Sequence, residues 1–172
     1  MIELSLVRDL VAIFGVIAGF SYYYLTVRNA NITRKIDQAR RILDRNQDVA
    51  ITLLWKELVD MEWDDYDDFI DKYGWRNNTE NWAKRTKMFG YYDEAGYMLY
   101  HKQIDIETLN SMIGDLGTIR LWNKFGSVIV TERERENDKD YCKWFEYFVM
   151  EMGKERARKG VKPDISDIIK YE

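Results

Sequence analysis

Residues 10–27 run for 18 positions without a charged side chain. As a helix rising about 1.5 Å per residue, the run is roughly 27 Å long, close to the roughly 30 Å hydrocarbon core of a bilayer. Its ends suit an interface. Tyr22, Tyr23 and Tyr24 are amphipathic rings of the kind that favours the headgroup level, and Arg28 follows. Leu4, Leu6 and Val7 can lengthen the apolar body on the other side, past Arg8 and Asp9. A cleaved signal would need a basic leader and a small-residue cleavage site, and the sequence offers neither. A buried helix of a soluble domain fits poorly with Gly15, Gly19 and a terminal tyrosine triplet. The expected element is a transmembrane helix within residues 1–27.

The pattern then becomes amphipathic. Ile32, Ile36, Ala39 and Leu43 repeat at helical spacing, predicting a juxtamembrane stalk over residues 28–46. Asn46, Gln47 and Asp48 mark a break, and Ala50, Leu53, Leu54 and Leu58 then share one face of a helix over 49–59. Trp63, Tyr66, Phe69, Ile70 and Tyr73 form an aromatic stripe that Gly74 should stop. Asn77 and Glu80 have capping-box spacing and predict the start of a helix that carries Trp82, Phe89, Tyr92 and Leu99. Residues 101–104 read as a turn and Asp105 as the next N-cap. A single helix is expected over 106–131, apolar on most sides and therefore central. Residues 132–140 read as a charged, solvated segment. A last helix is expected from near Asn137, with Tyr141, Trp144, Phe145, Phe148, Val149 and Met152 as its stripe. Ile165, Ile168 and Ile169 offer a short docking turn in a tail over 161–172. The expected class is all-α: one transmembrane helix, then a single cytoplasmic helical bundle over 47–160.

Charge sets the expected orientation. Arg28, Arg34, Lys35, Arg40, Arg41 and Arg45 follow the apolar run closely, whereas Arg8 is the only cation before it. Cations flanking a span stay in the cytoplasm, so the N-terminus is expected outside the plasma membrane and the bulk of the chain inside. A single cysteine, Cys142, suits a reducing compartment. The net charge of −4 is spread along the chain and gives no nucleic-acid footprint. One proline leaves long helices uninterrupted, and six tryptophans let a small domain bury much area.

Four features bear on function. Ala12, Gly15 and Gly19 make a small-residue face on which another membrane helix, or a second copy, can pack closely. Tyr22, Tyr23, Tyr24 and Arg28 are the expected interface anchors. Arg34, Lys35, Arg40 and Arg41 form a basic cluster suited to anionic lipid headgroups. Lys154, Arg156, Arg158, Lys159 and Lys162 form a second basic cluster, open to two readings: lipid contact, or solubilising charge at a helix C-terminus.

Catalytic chemistry finds little support. Seven of the twelve residues 60–71 are acidic, but they lack the alternate ligands and central glycine of an EF-hand. They read as the outer face opposite the aromatic stripe, with a cation site as the rival reading. His101 and Cys142 are the only residues of their types, and Cys142 sits on a packing helix. No phosphate loop or dinucleotide fingerprint occurs. No catalytic residue, metal ligand or cofactor is expected.

The sequence as a whole resembles a known family. Its residues are W-x-D-Y-D-D-F-x-x-K-Y-G from Trp63, F-G-Y-Y-D-E-A-G-Y from Phe89, Ile104-Asp105-Ile106-Glu107, Leu121-Trp122-Asn123-Lys124-Phe125, and Trp144-Phe145-Glu146-Tyr147-Phe148. Together with the N-terminal span they are similar to the prokaryotic domain of unknown function 4760 family over nearly the whole chain. That resemblance implies a single-span anchor with a helical cytoplasmic domain. It brings no activity, cofactor or catalytic residue. The expected role is a membrane-anchored interaction module, an accessory subunit or adaptor of a membrane complex. A homodimeric scaffold, an acid-rich metal-binding protein and a membrane-bound enzyme are the alternatives.

Overall fold

The computed structural model describes residues 4–46 and 48–165. Seven α-helices and no strand occur among them: α1 (Leu4–Asn46), α2 (Val49–Val59), α3 (Tyr66–Tyr73), α4 (Thr79–Tyr100), α5 (Ile106–Ile113), α6 (Asp115–Glu136) and α7 (Lys143–Arg158). The chain divides into two compact units, Met1–Gln38 and Ala39–Glu172. The expected all-α architecture is what the chain adopts. Gln47, Ile168 and Ile169 lie outside the described residues.

The second unit is built around α4 and α7, with α6 beside α7. The shorter helices close the sides, α2 on α4 and α6, α5 on α6 and α7, and α3 on α4. Aromatic rings fill the centre. Phe125 packs on Trp63, Phe69 and Phe89 at ring centroid distances of 5.2, 6.4 and 5.2 Å. Phe145 stacks on Tyr92 at 4.9 Å and meets Trp122 edge-on at 5.2 Å. Each such pair adds about 0.5–1.5 kcal/mol beyond the area it buries.

Side-chain caps set most helix starts. Asp48, Asp65, Asn78 and Asp105 accept hydrogen bonds from the backbone N–H of Ala50, Asp68, Asn81 and Thr108 at 2.9, 2.9, 3.0 and 2.8 Å. The cap of α4 is thus Asn78, one residue later than the spacing of Asn77 and Glu80 predicts. Asn77 instead closes the preceding helix, donating its amide to the carbonyls of Ile70 and Asp71. Gly74 does end α3, in extended rather than left-handed geometry. A Cβ there would lie 2.4 Å from the Ile70 carbonyl oxygen.

Three further boundaries differ from the sequence expectation. The helix expected over 106–131 is broken at Gly114, whose φ of 81° is open to glycine and strained for other residues. α6 then runs on to Glu136, through residues expected to be a solvated segment. α7 begins at Lys143 rather than near Asn137, after a connection in which Asn137 and Cys142 both adopt left-handed backbone.

The start of α7 is capped from another helix. Cys142 offers no side-chain cap, and Asp93 of α4 accepts from the N–H of both Trp144 and Phe145 at 2.9 Å. Burial pushes the Asp93 carboxyl above the usual carboxylate range, against the pull of those two N–H groups. Asp93→Ala should leave both N–H groups unsatisfied at a helix–helix contact. The expected loss is about 2 kcal/mol in urea unfolding, with a smaller loss for Asp93→Asn.

Candidate functional site

The residues singled out in the apolar run all lie on α1. Val7–Asp37 is long and apolar enough to cross a membrane, and none of its best window is buried. Its length and apolarity fit a membrane span and equally a signal sequence. Phe14 and Phe20 are 67% and 72% exposed. Ala12, Gly15 and Gly19, at spacings of three and four, fall on one face, and a Cβ on Gly15 or Gly19 would meet nothing within 4 Å. Tyr22, Tyr23 and Tyr24 are exposed, and as consecutive residues they form a partial girdle rather than a stripe. The Thr26 hydroxyl donates to the Tyr22 carbonyl at 2.8 Å, so the last polar group of the run is satisfied within the helix. Arg28, Arg34, Lys35, Arg40 and Arg41 are exposed along the helix that follows. At the other end Arg8 pairs with Asp9 at 3.1 Å.

The second basic cluster is mostly neutralised within the fold. Arg156 pairs with Asp115, Arg158 with Glu107 and Glu155, Lys159 with Glu155, and Lys154 with Glu151. The solubilising reading thereby gains support over the lipid reading for these residues.

The acidic residues 60–71 serve the local fold. Asp65 caps α3, and Asp68 accepts from Lys72 at 2.7 Å and from the Asp64 N–H at 2.9 Å. Among the described residues, no group of three or more His, Cys, Asp and Glu side chains is arranged to hold a metal ion. Burial pushes the Cys142 thiol up to about 12, so it is not a thiolate at neutral pH. His101 belongs to a surface ring cluster, 4.3 Å from Tyr97, 5.2 Å from Tyr100 and 5.9 Å from Trp144.

The sequence did not announce a cleft in the second unit. A recess of about 560 Å³ opens between α3, the start of α4 and the end of α6. Trp75 and Trp82 form one wall, 59% and 44% exposed. Glu132, Glu136, Asp138, Arg76 and Arg135 also line it, with Tyr66 and Tyr141. Behind it sits Arg85, 2% exposed, donating to the Tyr73 carbonyl at 2.7 Å and to Asn81 at 3.0 Å, with its guanidinium 4.5 Å over Phe69. Burial raises the Glu132 carboxyl above its usual range, opposed by Arg85 and by a hydrogen bond with Tyr141, while Glu136 adds to the rise.

Two sequence signals could have found this cleft. Trp75 follows the Gly74 stop, outside any stripe, and Trp82 shares the face of Phe89 yet stays 44% exposed. Arg85 and Glu132 fall on apolar stripes, four residues before Phe89 and four after Val128.

The sequence model of the family described as domain of unknown function (DUF4760) matches residues 9–152, and the chain belongs to that family. No curated protein and no solved structure matches the chain.

Proposed function

We propose that this member of the DUF4760 family is a membrane-anchored helical interaction module, an accessory subunit or adaptor of a membrane protein complex. In this reading α1 crosses the plasma membrane with its N-terminus outside, and the bundle works at the cytoplasmic face. The observation that carries it is the exposure of the whole apolar window of α1, whose glycine face stands open. In lipid such a surface is solvated, and close backbone approach at Gly15 and Gly19 gives a partner helix its packing site. Excess cations after the run support the orientation. Arg34, Lys35, Arg40 and Arg41 would lie where anionic headgroups attract them. No nucleic acid, cofactor, metal or catalytic step belongs to this reading.

The test is fractionation of native membranes, then native mass spectrometry in mild detergent. The chain should stay in the pellet after an alkaline carbonate wash, and a C-terminal tag should resist protease added to intact cells. It should leave the membrane in a stoichiometric assembly heavier than its own dimer. Release by carbonate would overturn the anchor, and monomer alone would overturn the adaptor role. Self-association through the same face is a second reading, favoured by the empty space around both glycines. Gly15→Ile with Gly19→Ile should then abolish dimer signal in a membrane association reporter, and unchanged signal would reject that interface.

A further inference from the structure

The cleft carries charge that destabilises its own helix. Glu132 and Glu136 stand four residues apart on α6, a spacing at which like charges oppose helix formation. They also sit in the last turns of α6, where the macrodipole disfavours anions. Asp138 adds a third carboxylate at the mouth.

Two cations, Arg76 and Arg135, line the same cleft, and both have partners within the fold. Arg85 answers Glu132 from behind. Arg135 pairs with Asp67 at 3.1 Å and lies 4.3 Å over Tyr66, and Arg76 lies 4.9 Å over its neighbour Trp75. Among the described residues, Glu136 and Asp138 have no ion-pair partner. The partly exposed ring of Trp82 lines the same cleft, and its π face attracts cations. A recess of about 560 Å³ is within the range that holds small ligands.

We propose that this cleft binds an alkylammonium or guanidinium group, its charge against Glu136 and Asp138 and its flat or methylene face on Trp82. The group belongs to a free organic cation or to a lysine or arginine side chain of a peptide; the recognising chemistry is the same. The inference stands on the second unit alone and does not require α1 to be a membrane span.

The experiment is isothermal titration calorimetry on the full chain in mild detergent. The probe is N-acetyl-arginine amide, with the uncharged isostere N-acetyl-citrulline amide beside it. The arginine probe should bind at least about tenfold more tightly than the citrulline one. Glu136→Gln and Trp82→Ala should each weaken it about fivefold or more. Glu136 is exposed, so the thermal midpoint should hold in Glu136→Gln, which separates the affinity readout from any packing loss in Trp82→Ala. Glu134→Gln, at an exposed position outside the cleft, should leave affinity unchanged. Agmatine and a Gly-Gly-Arg-Gly-Gly peptide separate the two sources: tighter agmatine binding indicates a free cation, tighter peptide binding a side chain. No measurable binding, equal affinity for arginine and citrulline probes, or indifference to both cleft variants would each overturn the proposal.

Discussion

Gly96→Ala is expected to cost the domain about 3–5 kcal/mol, a large share of a typical stability of about 5–15 kcal/mol. Gly90→Ala, in the same helix, should instead add about 0.5–1 kcal/mol. Both glycines lie inside α4, so the helix-propensity gain is common to both. Their surroundings are opposite. A Cβ on Gly90 meets nothing within 4 Å. A Cβ on Gly96 would lie 1.9 Å from the Trp144 carbonyl oxygen, 2.5 Å from its carbon and 3.1 Å from the Phe148 Cβ.

The backbone of α7 would have to retreat, and it is held where it is. Asp93 stands three residues before Gly96 and binds the N–H groups of Trp144 and Phe145. One residue draws the start of α7 onto α4, and the other leaves room for it. Moving α7 away stretches both hydrogen bonds and opens the packing around Phe145 and Phe148, which are fully buried. Urea unfolding followed by tryptophan fluorescence should show the Gly96→Ala midpoint far below the parent and the Gly90→Ala midpoint at or above it. Equal midpoints would show that the α4–α7 contact is softer than the geometry implies. Combining Asp93→Ala with Gly96→Ala should cost less than the sum of the two, because each loosens the same contact.

Much of this arrangement is legible in the sequence, for a physical reason. Where an apolar stripe, a capping side chain and a good helix-forming stretch agree, the element appears at its expected place. α2 runs over the expected 49–59, and Asp105 caps α5 as expected. The stripe on α7 is the buried one, with Phe145, Phe148, Val149 and Met152 all fully inside. Errors arise where one signal stands for two structures. Residues 132–136 alternate Glu and Arg, which suits a solvated loop and suits a helix equally, since both residues are good helix formers. What decides is tertiary: Glu132 and Arg133 turn inward to Tyr141 and Glu146. Gly114 was hidden for the opposite reason. The apolar residues on both sides of it continue one another, and only a backbone angle separates α5 from α6. The cleft was least legible, because Trp75, Trp82, Glu136 and Asp138 meet across three elements and no local pattern links them.

Glu146→Ala is expected to destabilise the domain by about 3–5 kcal/mol, the range for stripping one partner from a buried ion pair. Glu146 is 1% exposed, and its carboxylate accepts from the Arg133 Nη1 at 2.5 Å. Arg133 is itself only 12% exposed at the side chain, and its Nε donates to the Tyr141 carbonyl at 2.7 Å. One guanidinium therefore ties together the end of α6, the connection that follows and the first turn of α7. The connection contains two residues in left-handed backbone, Asn137 and Cys142, which local preference would not hold in place. Removing the carboxylate leaves a largely buried cation whose Nη2 already lacks a hydrogen-bond partner. Removing both charges should hurt less. Arg133→Met with Glu146→Leu retains volume and loses chiefly the bond to Tyr141, a deficit of about 1–3 kcal/mol. Urea midpoints of Arg133→Met, Glu146→Leu and the double form the cycle, with Glu146→Ala beside it. A double variant less stable than Glu146→Ala would mean that the pair contributes more to folding than its desolvation takes away. A more stable one would mark Arg133 as a clamp on the geometry of the α6–α7 connection, held at some expense of stability.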